Sequence, residues 1–178
     1  MALELTRADL LGKGAAGTAL GVAALAFPGL ATADRREGGQ LGEIYELQAA
    51  FHRAKTTQDI ELMMSLWAED GTLSNQGDPN SPYVGSDRLR SFWLGSGSFT
   101  HRRFSLVPSY KIQIQMHGQA AWLYFECHDV GDYDLPTRSI VSDTFLAGTL
   151  QKSDRDWVFW QMTAGKASPL AVDHYYFP

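Results

Sequence analysis

The spacing of apolar residues changes once along this chain, from helical to alternating, and that change near residue 101 restricts the fold more than any other feature. Upstream of it, residues 41–57 read LGEIYELQAAFHRAKTT. Ile44, Leu47, Phe51 and Ala54 recur there at spacings of three and four, the mark of one buried helical stripe. Ile60, Met63, Met64 and Trp67 continue the pattern over 58–68, and Gly71 is placed to end that helix. Residues 76–85, QGDPNSPYVG, carry two prolines and two glycines and read as loop. Ser86 suits the N-cap of a short helix bearing Leu89, Phe92 and Trp93, and 95–98 read as a second loop.

Downstream the period is two. Ile112, Ile114 and Met116 alternate with Lys111, Gln113 and Gln115, and His117-Gly118 makes a tight turn. In the strand over 120–130, Trp122, Tyr124, Glu126 and His128 share one face, and Ala121, Leu123, Phe125 and Cys127 the other. A loop with Pro136 over 131–137, a long strand over 138–151, a turn at 154–156 and a last strand over 157–163 follow. An aromatic tail with His174, Tyr175 and Tyr176 ends the chain. Helices bunched early and strands late specify an α+β fold, with about three helices on one face of an antiparallel sheet. Gly148 within a long strand points to strong curvature.

A length of 178 residues suits one domain plus a short extra segment, and 44% apolar residues suffice for a core. The formal charge of -5, with no basic stripe, argues against nucleic acid and anionic membrane surfaces as partners. The one cysteine, Cys127, excludes an internal disulfide and reads as a small buried hydrophobe. Residues 14–33, rich in Ala and Gly, follow Arg7 and Lys13 and end in Ala31-Thr32-Ala33 before a charged stretch. That three-part pattern predicts an export signal over 1–33, cleaved after Ala33, with no stable membrane insertion afterwards. Thr6-Arg7-Ala8-Asp9-Leu10-Leu11 resembles a degenerate twin-arginine start, so the export route, periplasmic or extracellular, stays open. Residues 34–40 read as linker and 41–178 as the folded domain.

Five stretches in order resemble the SnoaL-like (polyketide cyclase and scytalone-dehydratase-like) branch of the nuclear transport factor 2-like superfamily. They are Phe51-His-Arg-Ala-x4-Asp59, Leu66-Trp-Ala-Glu-Asp-Gly-Thr-Leu73, Val84-Gly-Ser-Asp-Arg-Leu-Arg-Ser-Phe92, Ile112 to Phe125, and Thr149-Leu-Gln-Lys-x4-Trp157. The resemblance implies a cone, a cystatin-like α+β barrel in which a curved sheet and helices enclose an apolar pocket. It does not settle function, because the family includes isomerases, dehydratases and binding proteins without catalysis. The ketosteroid isomerase set falls on Phe51, Asn75 and Ala147, which cannot do that chemistry. The scytalone dehydratase pattern implies His101 and His128 as acid and base, while its other positions fall on Asn75 and Leu146.

Histidine can take a proton beside a carbonyl and return it to a leaving hydroxyl. Such a base works best with a carboxylate on its other nitrogen. Asp143, mid-strand in IVSDTFLAG, is the expected partner, with Glu126 as second choice. The catalytic candidates are thus His101, His128 and Asp143. The candidates for holding a substrate are Asn75, Phe51, His52, Trp67, Trp122, Tyr124 and Phe145. His52 at its helix edge reads equally as packing, and His117 as a solvated turn residue. A two-His metal site from His101, His128 and a carboxylate lacks any local ligand spacing, so neither metal nor cofactor is expected. Pairing 120–130 with 138–150 about the 131–137 loop gives cross-strand numbers summing to about 268, which makes any His128–Asp143 contact diagonal.

Two functions follow: a cofactor-free lyase or isomerase acting on a small hydrophobic cyclic molecule, or a non-catalytic module of the same fold that binds such a molecule or only dimerises. Whether His101, His128 and Asp143 converge in one pocket separates them. Both faces of 120–127 and 157–162 are largely apolar while helices cover only one, which also predicts a homodimer through the outer face.

Overall fold

The computed structural model describes residues 28–132, 140–154 and 156–167. The expected signal lies outside the described residues as far as position 27, as do most of the 131–137 loop and the tail with His174. In chain order the elements are α1 (Pro28–Thr57), α2 (Ile60–Ser65), β1 (Trp67–Asn75), β2 (Tyr83–Val84), α3 (Ser86–Gly95), α4 (Gly97–Thr100), β3 (Phe104–His117), β4 (Ala120–Gly131), β5 (Ile140–Ser153) and β6 (Asp156–Lys166). They build one six-stranded sheet in the order β2-β1-β6-β5-β4-β3. Among the described residues no helix is long and apolar enough to cross a membrane.

The α1 stripe of Ile44, Leu47, Phe51 and Ala54 is buried, against an inner sheet face of Ala121, Leu123, Phe125, Leu146, Leu150 and Phe159. Burying each large side chain fully is worth about 1.5–3 kcal/mol. Phe51 sits at the centre, edge-on to Trp93, Phe125 and Phe159 with ring centroids 5.4 to 5.7 Å away.

The sheet bends at Gly148, whose φ of 151° lies outside the range of ordinary side chains. A methyl there would come within 2.0 Å of the Gln161 carbonyl oxygen. The β5–β6 register shifts beside it, between Thr149 and Leu150, and such bulges curl a sheet.

Five local expectations are corrected. The helix read over 41–57 begins at Pro28 and runs through 34–40 without a break. The second helix ends at Ser65, where the Leu66 N–H closes on the Met63 and Met64 carbonyls. Trp67 and Gly71 therefore lie in β1, drawn into the sheet by β6, with Trp67 opposite Phe159. Gly85, with φ of 79°, caps α3 instead of Ser86. Residues 97–100 form the short helix α4 instead of loop. The sheet is not wholly antiparallel either: β1 pairs parallel with β6, because helices α3 and α4 separate β1 from the meander that follows.

Candidate functional site

A cavity of about 430 Å3 opens between α1, α3, α4 and the inner sheet face. Phe51, Phe92, Trp93, Phe104 and Leu146 give it apolar walls, and Lys55, His101 and Asp129 supply charge or titratable groups. Each is placed by local structure. His101 caps the C-terminus of α4, its N–H bonding the Gly97 carbonyl at 3.2 Å. The Gln58 side chain, on a residue with φ of 55° just past α1, donates to the Ser98 and His101 carbonyls at 3.0 and 2.8 Å. That strut ties α4 to the end of α1.

The His101 ring lies against Gly131, where a methyl would come within 2.6 to 2.9 Å of three ring atoms. Its Nδ1 is 3.4 Å from a carboxylate oxygen of Asp132. Burial would raise the Asp132 carboxyl, but the Arg103 N–H and the His101 ring hold it below the usual aspartate value. The backbone closes this corner, because the Asp132 N–H reaches the Arg103 carbonyl at 2.7 Å. A carboxylate at Nδ1 leaves Nε2 as the nitrogen for proton exchange.

Lys55 is only 4% exposed, and both Asp129 oxygens lie 2.8 Å from its ammonium. Thr144 donates to the same carboxylate at 2.9 Å. The Phe51 and Phe104 ring centroids stand 5.5 and 5.2 Å from the ammonium, within cation–π range. Burying two opposite charges is stabilising only when both are this well matched. The sequence reading missed Lys55, Asp129, Asp132 and Thr144. For Asp129 a signal existed, since it continues the inward parity of Ala121, Leu123, Phe125 and Cys127. Lys55 carried one too, being a charge four residues after Phe51 on the helix stripe.

The sequence-derived candidates divide between the two faces of the sheet. Phe51, Asn75 and His101 line the cavity. His128 does not share it: β4 points its odd positions inward, so His128 stands on the outer face, opposite His101. Asp143 is with it. The two are direct cross-strand partners, and His128 Nδ1 lies 2.8 Å from Asp143 Oδ1. The expected diagonal contact is therefore a direct one, because the observed cross-strand pairs sum to 271. Trp122, Tyr124 and Phe145 also lie on the outer face as a ladder of near-parallel rings, with centroids 6.3 and 5.9 Å apart, although Phe145 also reaches the cavity wall. The Tyr124 hydroxyl donates to Glu126, which also pairs with Lys111 at 3.0 Å. Burial and that bond push the tyrosine up to about 12.

Trp67 is not a wall residue; it is core, tilted against Trp93 and Phe159. His52 packs against Phe51 and Phe125, with Nε2 3.6 Å from the Cys127 sulfur. Burial, then the Lys55 charge, pushes its ring down to about 4. Burial pushes the Cys127 thiol up to about 12, so this pair is neutral near pH 7. The indole N–H groups of Trp67, Trp93 and Trp157 are buried with no acceptor among the described residues, and of the three only Trp93 lines the cavity. The described residues hold no cluster of three or more His, Cys, Asp or Glu side chains able to take a metal ion.

Residues 44–167 match the family described as SnoaL-like domain. No sequence match was found among the curated proteins. Similar solved structures include a nuclear transport factor 2-like protein with a cystatin-like fold from Novosphingobium aromaticivorans. It is 14% identical, with a TM-score of 0.65 over 83% of this chain and 94% of that one. A protein of the same organism named for scytalone dehydratase is 18% identical, with a TM-score of 0.64 over 74% and 87% of the two chains. A ketosteroid isomerase-like protein from Erwinia carotovora atroseptica is 21% identical, with a TM-score of 0.59 over 73% and 98%. At these identities the likeness is one of fold.

Proposed function

We propose, from the premise that this chain belongs to the SnoaL-like domain family, that it binds a small hydrophobic ring-bearing molecule in the inner cavity and moves a proton on it with His101. The observation that carries the reading is His101 on the cavity wall, with Asp132 beside Nδ1 and Gly131 beneath the ring. In the dehydratase form of this chemistry, Nε2 takes a proton from the carbon next to a carbonyl. The electron pair of that C–H bond becomes the new C=C bond, the neighbouring C–O bond breaks, and the proton leaves with hydroxide as water. In the isomerase form the same nitrogen returns the proton to another carbon. Neither form needs a cofactor.

A second reading is supported by one specific observation. The other base implied by the resemblance, His128, stands on the opposite sheet face, which leaves His101 without a second histidine among the described residues that line the cavity. On that reading the domain binds its ligand and does no chemistry. A panel of cyclic hydroxyketones and β,γ-unsaturated ketones, followed by absorbance for new conjugation, separates the two. Turnover should fall about 100-fold or more in His101→Asn while affinity stays within a few fold. Binding without turnover in the native protein supports the second reading. Unchanged turnover in His101→Asn refutes the role given to His101.

The proposal includes an exported protein, supported by Ala31-Thr32-Ala33, and a homodimer through the outer sheet face. Support for the second comes from Val107 and Val141, both more than half exposed next to His128 and Val130, and from the Trp122–Tyr124–Phe145 ladder further along the same face.

A further inference from the structure

The polar groups of the cavity are unbalanced in one direction. An ammonium has three N–H donors, and the Asp129 carboxylate, the acceptor of Lys55 among the described residues, takes at most two of them. The Asp129 carboxylate, by contrast, is already met by Lys55 and Thr144. Formal charge leans the same way. Lys55 and Lys166 line the cavity against Asp129, one net positive charge with His101 neutral, in a chain of formal charge -5. A site with a spare ammonium donor and a net positive wall favours a ligand that brings an acceptor and negative charge.

We propose that the cavity's ligand is a weak organic acid bound as its anion, a ring-bearing carboxylate or phenolate whose oxygen meets the Lys55 ammonium. This rests on the inner cavity being the binding site, and it names the chemical class that the site takes. Asp129 then acts as a positioning residue. It holds the ammonium between Phe51 and Phe104 and offsets the cost of burying it while the site is empty. Lys166, exposed at the rim, draws the anion inward. The geometry also relates the anion to His101. Asp129 and Gly131 are two residues apart on the inner side of β4, about 7 Å along a strand, so the ring at Gly131 and the ammonium at Asp129 flank one small ligand.

The test compares 2-naphthoate with 2-acetylnaphthalene, in which a methyl group replaces one carboxylate oxygen, on the full chain by titration calorimetry. Quenching of tryptophan emission that disappears in Trp93→Phe places the probe in the cavity. The naphthoate should bind at least about tenfold more tightly, the worth of one hydrogen bond to a charged group. Lys55→Met alone strands Asp129 and can unfold the protein, so the deciding variant is Lys55→Met with Asp129→Leu, which removes both charges. There the preference should shrink to within about threefold, with the ketone still bound. Equal affinity for the two probes in the native protein, or a preference that survives the double variant, overturns the anion assignment and leaves the cavity reading standing. Failure of both probes to bind overturns both.

Discussion

Gly131→Ala tests the claim that the His101 ring is held in place by the absence of a side chain. The added methyl would lie 2.6 Å from Cδ2, 2.8 Å from Cγ and 2.9 Å from Nε2 of His101. Carbon atoms settle at about 3.5–4.0 Å, so the ring must retreat by roughly 1 Å. Nδ1 is already 3.4 Å from Asp132, and a retreat of that size ends the contact. The strand cannot yield instead, because Gly131 pairs with both Phe104 and Ile140. Overpacking of this kind costs about 1–3 kcal/mol, a fall in melting temperature of about 2–12 °C for a chain of this size. A displacement of 1 Å in a reacting group can cost about 100-fold in rate. Calorimetry gives the first number, the absorbance assay the second, and a crystal structure of the variant shows the ring. Gly95→Ala is the control, since nothing lies within 4 Å of the added methyl. A Gly131→Ala protein as stable as the native one, with the ring unmoved, would refute the reasoning.

Lys55→Met leaves Asp129 buried without its counter-charge and should lose about 3–5 kcal/mol in urea unfolding, most of it recovered by adding Asp129→Leu. His52 is neutral when folded, with its ring at about 4, whereas the unfolded chain takes up that proton near 6.5. Its contribution to stability is therefore complete above pH 6.5 and lost as pH falls from there towards 4. His52→Gln should flatten the stability profile in that window, as read by melting temperature against pH. Trp122→Glu should turn a dimer into a monomer in light scattering at micromolar concentration, and a native protein already monomeric there would count against the interface. Mass spectrometry of protein exported by the native host should find Asp34 first, and an intact chain in the cytoplasm would speak against the signal.

How much could be read without coordinates depended on the range of the interaction. The α1 stripe at Ile44, Leu47, Phe51 and Ala54 and the two faces of β4 follow from periods of 3.6 and two, which are local, and both hold in the fold. Trp67 was misread as helical because its partner, Phe159, lies in β6, and no spacing near Trp67 announces that pairing. His128 and Asp143 meet because Gly131 pairs with Ile140, which sets a cross-strand sum three units above the one centred on position 134, the middle of the 131–137 loop. Lys55 and Asp129 are 74 positions apart and have nothing in common until the fold brings them together. Candidate residues picked by chemical type, such as His128, were right about the partner carboxylate and wrong about the face. Alternation assigns two sides without saying which is inside.

That alternation has a consequence for engineering. His128 and Asp129 are neighbours in sequence, yet one serves the outer surface and the other the cavity. Substitutions at odd positions of β4 therefore retune what the protein holds, and those at even positions retune what it touches, with little cross-talk between the two sets. A single-residue deletion near the middle of the strand would do the opposite. Beyond the deletion every side chain would change sides, sending Glu126 or His128 into the interior and Cys127 or Asp129 out to solvent. Libraries aimed at this strand should allow replacement freely and exclude any change of length.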